Sequence, residues 1–250
     1  MKIFAISDLH LALSVPNKNM DVFGSGWDNY MESLRENWMR LCNEEDIIIV
    51  PGDISWAIGL SQARRDFEFI NELPGSKILF KGNHDYWWNT TTKLERYKEE
   101  NRFEKIFFIH NKSHLIQSET QNIGVCGTRG WMMPGDKNFG CDDERIYLRE
   151  IERFKLSIED AMRRDAKQII AAFHYPPFDI KGENEAYINV LKEYNIDQCV
   201  FGHIHIGSKT FGTWKDTTEA MTNRHSIDFK LVSADYMKFT PLELENVQKL

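Results

Sequence analysis

The sequence contains no apolar run of about 20 residues, the length that a membrane-spanning helix needs, so no such helix and no membrane partner are expected. The opening MKIFAISDLH has too short an apolar stretch for a secretory signal and meets acidic Asp8 at once. A cationic excess is also missing. The 31 Lys and Arg residues face 38 Asp and Glu, a formal charge of −7. That balance supplies no general basic field and argues against a nucleic-acid partner, although it leaves room for a local anion site. Cysteine is sparse. Cys42, Cys126, Cys141 and Cys199 lie far apart with no CxxC pair, which predicts reduced thiols in a cytoplasmic protein rather than a disulfide framework. Internal repeats, low-complexity tracts and linkers are absent too, so one domain over residues 1–250 is expected.

What is present is an alternation of short β-rich apolar runs with amphipathic segments. Residues 3–6, 46–50, 77–80, 123–126, 168–173 and 198–201 read as buried strands, with 107–109, 115–117 and 229–233 as further candidates. Helices are predicted over 29–42, 61–73, 91–99, 143–165 and 185–194. In the fourth, Tyr147, Ile151, Phe154, Ile158 and Met162 recur three or four apart and should form one buried stripe. Strands alternating with helices indicate the α/β class. The helix-poor stretch from about 198 onward predicts a partly antiparallel sheet.

Chemistry-bearing residues follow five of these strands. Ser7-Asp8-Leu9-His10 follows the first, Pro51-Gly52-Asp53 the second, and Gly82-Asn83-His84-Asp85 the third. His174-Tyr175-Pro176-Pro177 and Gly202-His203-Ile204-His205 follow the strands at 168–173 and 198–201. Five of the eight histidines therefore fall at strand ends, where α/β sheets carry their sites. Asp8 with His10, and His203 with His205, are two apart, so an extended backbone would point each pair the same way. Mixed carboxylate and imidazole donors suit Mn, Fe or Zn rather than Ca or Mg, and no thiolate stands among them.

The set DxH…GD…GNHD…H…GHxH resembles the signature of the calcineurin-like metallophosphoesterases, and it runs from Asp8 to His205. GDISWA, KGNHDYWW and GTRGW are similar to segments of a bacterial branch of predicted phosphohydrolases. The resemblance implies a four-layer α/β/β/α sandwich with mixed sheets. It implies two metal ions, one held by Asp8, His10 and His205, the other by Asn83, His174 and His203, with Asp53 bridging. His84 would be the outer-sphere acid, oriented by Asp85. The implied reaction is hydrolysis of a phosphomonoester, phosphodiester or nucleotide by in-line attack of a metal-bridging hydroxide on a small phosphorylated substrate. One departure stands out. The family's protein phosphatases carry an Arg soon after the bridging Asp, whereas Ile54-Ser55-Trp56 follows Asp53 here.

Two weaker signals remain open. Arg129, in Gly127-Thr128-Arg129-Gly130-Trp131, suits bidentate contact with the substrate phosphate, or else forms a surface ion pair. Trp27, Trp56, Trp87, Trp88 and Trp131 would either stack an aromatic group of the substrate or pack loops onto the domain. His110, His114 and His225 match no motif and read as structural or exposed. A nuclease would need a Lys/Arg groove, of which the acidic balance gives no sign, and a non-catalytic adaptor should have lost His84 or Asp53, both of which are present.

Overall fold

The computed structural model describes residues 1–15, 18, 20, 24–117, 121–181, 184–206, 212, 214–217 and 222–245. Within them, the strands β1 (Ile3–Ala5), β2 (Ile47–Val50), β3 (Ser76–Leu79), β4 (Ile106–Phe108) and β10 (Leu242–Glu243) form one sheet, in the order β10-β1-β2-β3-β4. The second sheet runs β5-β6-β7-β8-β9, from His114–Gln117, Asn122–Thr128, Gln168–Phe173, Gln198–Phe201 and Asp228–Leu231.

The alternation of side chains explains the layers. In β2, an Ile-Ile-Ile-Val run, Ile47 and Ile49 point to the apolar layer between the sheets, while Ile48 and Val50 point to the outer face. In β7, Ile170 and Ala172 face the same central layer, and Ala171 and Phe173 face outward. Helices α1 (Tyr30–Leu41), α2 (Arg64–Glu72) and α3 (Thr91–Asn101) cover the first sheet through Leu34, Trp38, Phe67, Ile70 and Leu94. Helices α4 (Cys141–Arg163) and α5 (Ala186–Glu193) cover the second. The layers are therefore helices, sheet, sheet, helices.

Helix α4 buries Tyr147, Ile151, Phe154 and Ile158, each contributing roughly 1.5–3 kcal/mol. Met162 departs from the expected stripe: it is 55% exposed, because Ala161 takes the last inward position two residues before the helix ends. The helix also begins two residues earlier than expected. Asp143 accepts the Gly140 N–H at 2.7 Å and the Trp131 indole N–H at 2.8 Å, and so fixes the first turn. The antiparallel pairs are β1–β10 and β5–β6, whereas β9 joins β8 in parallel, so the late stretch is only partly antiparallel. Parallel β1–β2–β3 and β6–β7–β8–β9 carry the candidate ligands on the loops after their C-terminal ends.

Candidate metal centre

Asp8, His10, Asp53, Asn83, His174, His203 and His205 come together between the ends of the two sheets. The His10 and His205 Nε2 atoms are 3.2 Å apart, and His205 Nε2 lies 3.6 Å from Asp8 Oδ1. On the other side, Asn83 Oδ1 lies 2.6 Å from His174 Nε2 and 3.0 Å from His203 Nδ1. Asp53 Oδ2 stands between them, 3.8 Å from His10 Nε2 and 3.5 Å from His174 Nε2. Donor atoms of Asp8, His10 and His205 all lie within 4.8 Å of one another, and so do those of Asp8, Asp53 and His174.

The backbone reaches this arrangement by a route the sequence pattern did not suggest. Asp8, His10, Asp53 and His203 have φ of 57°, 45°, 52° and 72°, so both residues of the DxH pair and the first of the HxH pair lie in the left-handed region rather than on extended backbone. Each such residue costs roughly 1 kcal/mol, a strain held by surrounding structure and concentrated at functional sites. Close approach also needs glycine. A methyl group on Gly82 would collide with the Asp53 carboxylate, and one on Gly202 with Asp8 and Ser7.

Charge and hydrogen bonding favour a cation here. Asp8 Oδ2 accepts bonds from Ser7 Oγ, His203 N and Ser233 Oγ, while Oδ1 is buried, faces the histidines and has no hydrogen-bond partner. The Pro51 carbonyl, 3.0 Å from His174 Nδ1, can only accept, so that nitrogen carries the proton and Nε2 presents a lone pair. That lone pair faces the carbonyl oxygen of Asn83, a second acceptor, and a cation between them removes the repulsion. Burial, then neighbouring histidines, push His10 and His174 well below the ordinary imidazole value and His203 to about 3. Neutral imidazoles are what a metal requires. Burial pushes Asp8 up, and burial, then Asp8 and Asp85, push Asp53 up strongly. Two carboxylates crowded in this way are relieved by a bound cation.

Asp85 does not orient His84. Its oxygens accept from the backbone N–H groups of Asp53, Ile54 and Gly82 at 2.7–2.9 Å, from Ser55 N at 3.3 Å and from Trp87 Nε1 at 3.1 Å. It ties the loop of Asp53 to the loop of Asn83, and burial raises it to about 6 despite those donors. The His84 ring instead rests against Trp56 at 4.6 Å between centroids, and Trp56 also stacks on His10 at 4.9 Å and 21°. Trp27 packs edge-on against His10, and Trp87 and Trp88 belong to the outer core of the first sheet. These four tryptophans pack loops and ligands onto the domain.

Asp235 was not legible as a site residue. It accepts the His205 Nδ1 proton at 3.1 Å and the Ile206 N–H at 2.8 Å, which turns His205 Nε2 toward Asp8. Burial pulls His205 down, but Asp235 and Asp8 outweigh it and raise the ring above its ordinary value. The signal existed. Ser233, which donates to Asp8 at 3.0 Å, and Asp235 follow β9, so the strand-end rule extends to a sixth strand. Asp235→Ala is expected to weaken metal binding by about 10–100-fold, the usual cost of losing such an outer partner. Competition with a chelator measures it; unchanged affinity would reduce Asp235 to capping Ile206.

Residues 1–207 match the family model described as calcineurin-like phosphoesterase. The chain belongs to this family. It is accordingly a metal-dependent phosphoesterase in general terms, and no helix among its described residues is long and apolar enough to cross a membrane. An uncharacterized protein of Methanocaldococcus jannaschii is 25% identical over 147 residues, covering 59% of this phosphoesterase and 75% of the relative. The phosphopantetheinyl hydrolase of Mycobacterium tuberculosis superposes with a TM-score of 0.55 at 12% identity, covering 100% of this chain and 97% of its own, which shows a shared fold. The calcineurin-like phosphoesterase YfkN of Bacillus subtilis gives 0.49 at 14% identity, covering 99% and 86%.

Proposed function

We propose that this phosphoesterase hydrolyses a small phosphorylated substrate, nucleotides included, at a pair of metal ions. Asp8, His10 and His205 would hold one ion, Asn83, His174 and His203 the other, and Asp53 would be shared. The observation that carries this reading is the convergence of seven donor side chains, with a buried Asp8 oxygen that has no hydrogen-bond partner among the described residues standing among them. The donor set of carboxylate, amide and imidazole suits Mn, Fe or Zn. When bound, such a pair supplies Lewis acidity and a nucleophile derived from water at neutral pH.

The chain's own groups do the rest. His84 projects beside the cluster, with its backbone N–H donating to Asp53 Oδ1 at 2.8 Å. Its half-buried ring would donate to a leaving oxygen or to a phosphoryl oxygen. Trp56 and Tyr86 both pack against that ring, at 4.6 and 6.1 Å between centroids. Tyr175 covers the opposite side of the site, its ring 4.1 Å from His203. All four cysteines are free thiols, which suits a cytoplasmic enzyme.

Full-length protein reconstituted with Mn, Fe or Zn is expected to cleave p-nitrophenyl phosphate or bis-p-nitrophenyl phosphate. A chelator should abolish the activity and metal return should restore it. The same screen includes nucleotides and single-stranded nucleic acid, the latter expected to be inert. Failure of every metal-loaded preparation on every ester would overturn the reading.

A further inference from the structure

Beside the metal cluster lies a second cavity of about 450 Å³, lined by none of the seven candidate ligands. Its size lies within the usual range for small-molecule pockets, about 300–1,000 Å³. Its charge is one-sided: Lys81, Arg129, Arg149 and Arg153 surround a single carboxylate, that of Glu150. Glu150 is buried and already engaged, accepting from the Thr128 hydroxyl and from Arg153 Nη1 at 2.7 Å. Arg129 and Arg149 approach it only to 3.9 and 3.8 Å, beyond good hydrogen-bond distance.

Several donors in this cavity therefore lack acceptors. Arg129 Nε is buried with no hydrogen-bond partner among the described residues, and its guanidinium carbon lies over Trp131, 4.3 Å from the ring centroid. The Lys81 side chain lines the same cavity and makes no hydrogen bond or ion pair among the described residues. A bound anion would relieve both. Guanidinium forks match the oxygen spacing of phosphate and carboxylate, and the apolar floor of Phe80 and Ile109 keeps the local dielectric low.

The cavity is also joined to the metal cluster through the chain. Lys81 stands two residues before Asn83, and the Tyr175 N–H, next to His174, donates to the Arg129 carbonyl at 2.8 Å. The Tyr175 ring packs 4.1 Å from His203 and 5.5 Å from Trp131, the ring beneath the Arg129 guanidinium. We propose that this cavity is a second anion subsite, which receives a phosphate or carboxylate that the substrate carries beyond the ester being cleaved. The inference rests on the phosphoesterase reading and narrows its substrate class to esters with two anionic groups. It also gives Arg129 a place: it grips the distal anion rather than the phosphoryl group at the metals.

The test compares alkanediol bisphosphates of increasing length with alkyl monophosphates of the same length, using metal-loaded, full-length protein. At one length, kcat/KM for the bisphosphate should exceed that of its monophosphate partner by about tenfold or more, as expected for a charge-assisted contact. Lys81→Ala and Arg149→Ala should each reduce that ratio by about tenfold. These two are chosen because neither anchors Glu150 closely; thermal unfolding checks that both fold. A ratio near one at every length, or one that neither variant changes, overturns the subsite. Titration of inorganic phosphate supplies a second arm. Phosphate binding weakened in both variants, with no preference for any bisphosphate, marks a site for a free anion and overturns the substrate role. If no ester is cleaved at all, the phosphoesterase reading fails instead. The cavity is then judged by titration of a bisphosphate, whose binding both variants must weaken.

Discussion

Asp53→Asn is expected to lower kcat/KM by on the order of 10³-fold or more, about 4 kcal/mol of transition-state stabilisation, while leaving the fold intact. Asp53 is the carboxylate that faces both halves of the cluster, His10 at 3.8 Å and His174 at 3.5 Å. Asn keeps the oxygen that accepts the His84 N–H but carries no charge, so elemental analysis should find at least one ion lost. Stability should move the other way. Burial, Asp8 and Asp85 make the Asp53 charge unfavourable without metal, so the metal-free variant should melt above metal-free wild type. Metal content, kcat/KM and metal-free melting temperature together separate a lost ligand from a damaged fold. A variant that keeps both ions and full activity would remove Asp53 from the shared position.

The ease with which the site was read follows from where its residues sit. Strands buried on both faces leave continuous apolar runs such as Ile47–Val50, and a polar residue just after such a run has little to do in packing. Asp8, Asp53, Asn83, His174 and His203 all stood out in this way. Asp235 did not, because its strand is half-buried and alternates, Asp-Phe-Lys-Leu, so its end is poorly marked. Backbone conformation was hidden for a different reason. Spacing of two suggests an extended pair, but Asp8 and His10 bond through their N–H groups to the Gly52 and Asp53 carbonyls of the neighbouring loop, which draws them into left-handed turns. The role of Asp85 was likewise set by tertiary structure, through backbone donors 30 residues away. Strand β10, two residues long, offers no periodicity to read.

His84→Ala should retain both metals and the folded structure, yet lose turnover by roughly 10²–10⁴, the range for a missing general acid or base. Its Nδ1 is buried without a hydrogen-bond partner among the described residues. No carboxylate among the described residues pairs with it: burial first, then the charges of His205 and Lys18, lower its pKa below the ordinary value of 6.5. In the free protein the ring is therefore neutral at pH 7, and the anionic phosphoryl group of a bound substrate is what draws a proton onto it. The leaving group then discriminates between roles. An alkyl ester departs as a strongly basic alkoxide and should suffer most from the loss of a proton donor, whereas a p-nitrophenyl ester should suffer less. His84→Gln, which donates a hydrogen bond but no proton, should leave the alkyl ester as slow as in the Ala variant. Equal losses on both esters, with rescue by Gln, would make His84 a stabiliser of the phosphoryl oxygens. Loss of metal in either variant would overturn the ligand assignment around Asn83, and unchanged kinetics on both esters would remove His84 from the reaction.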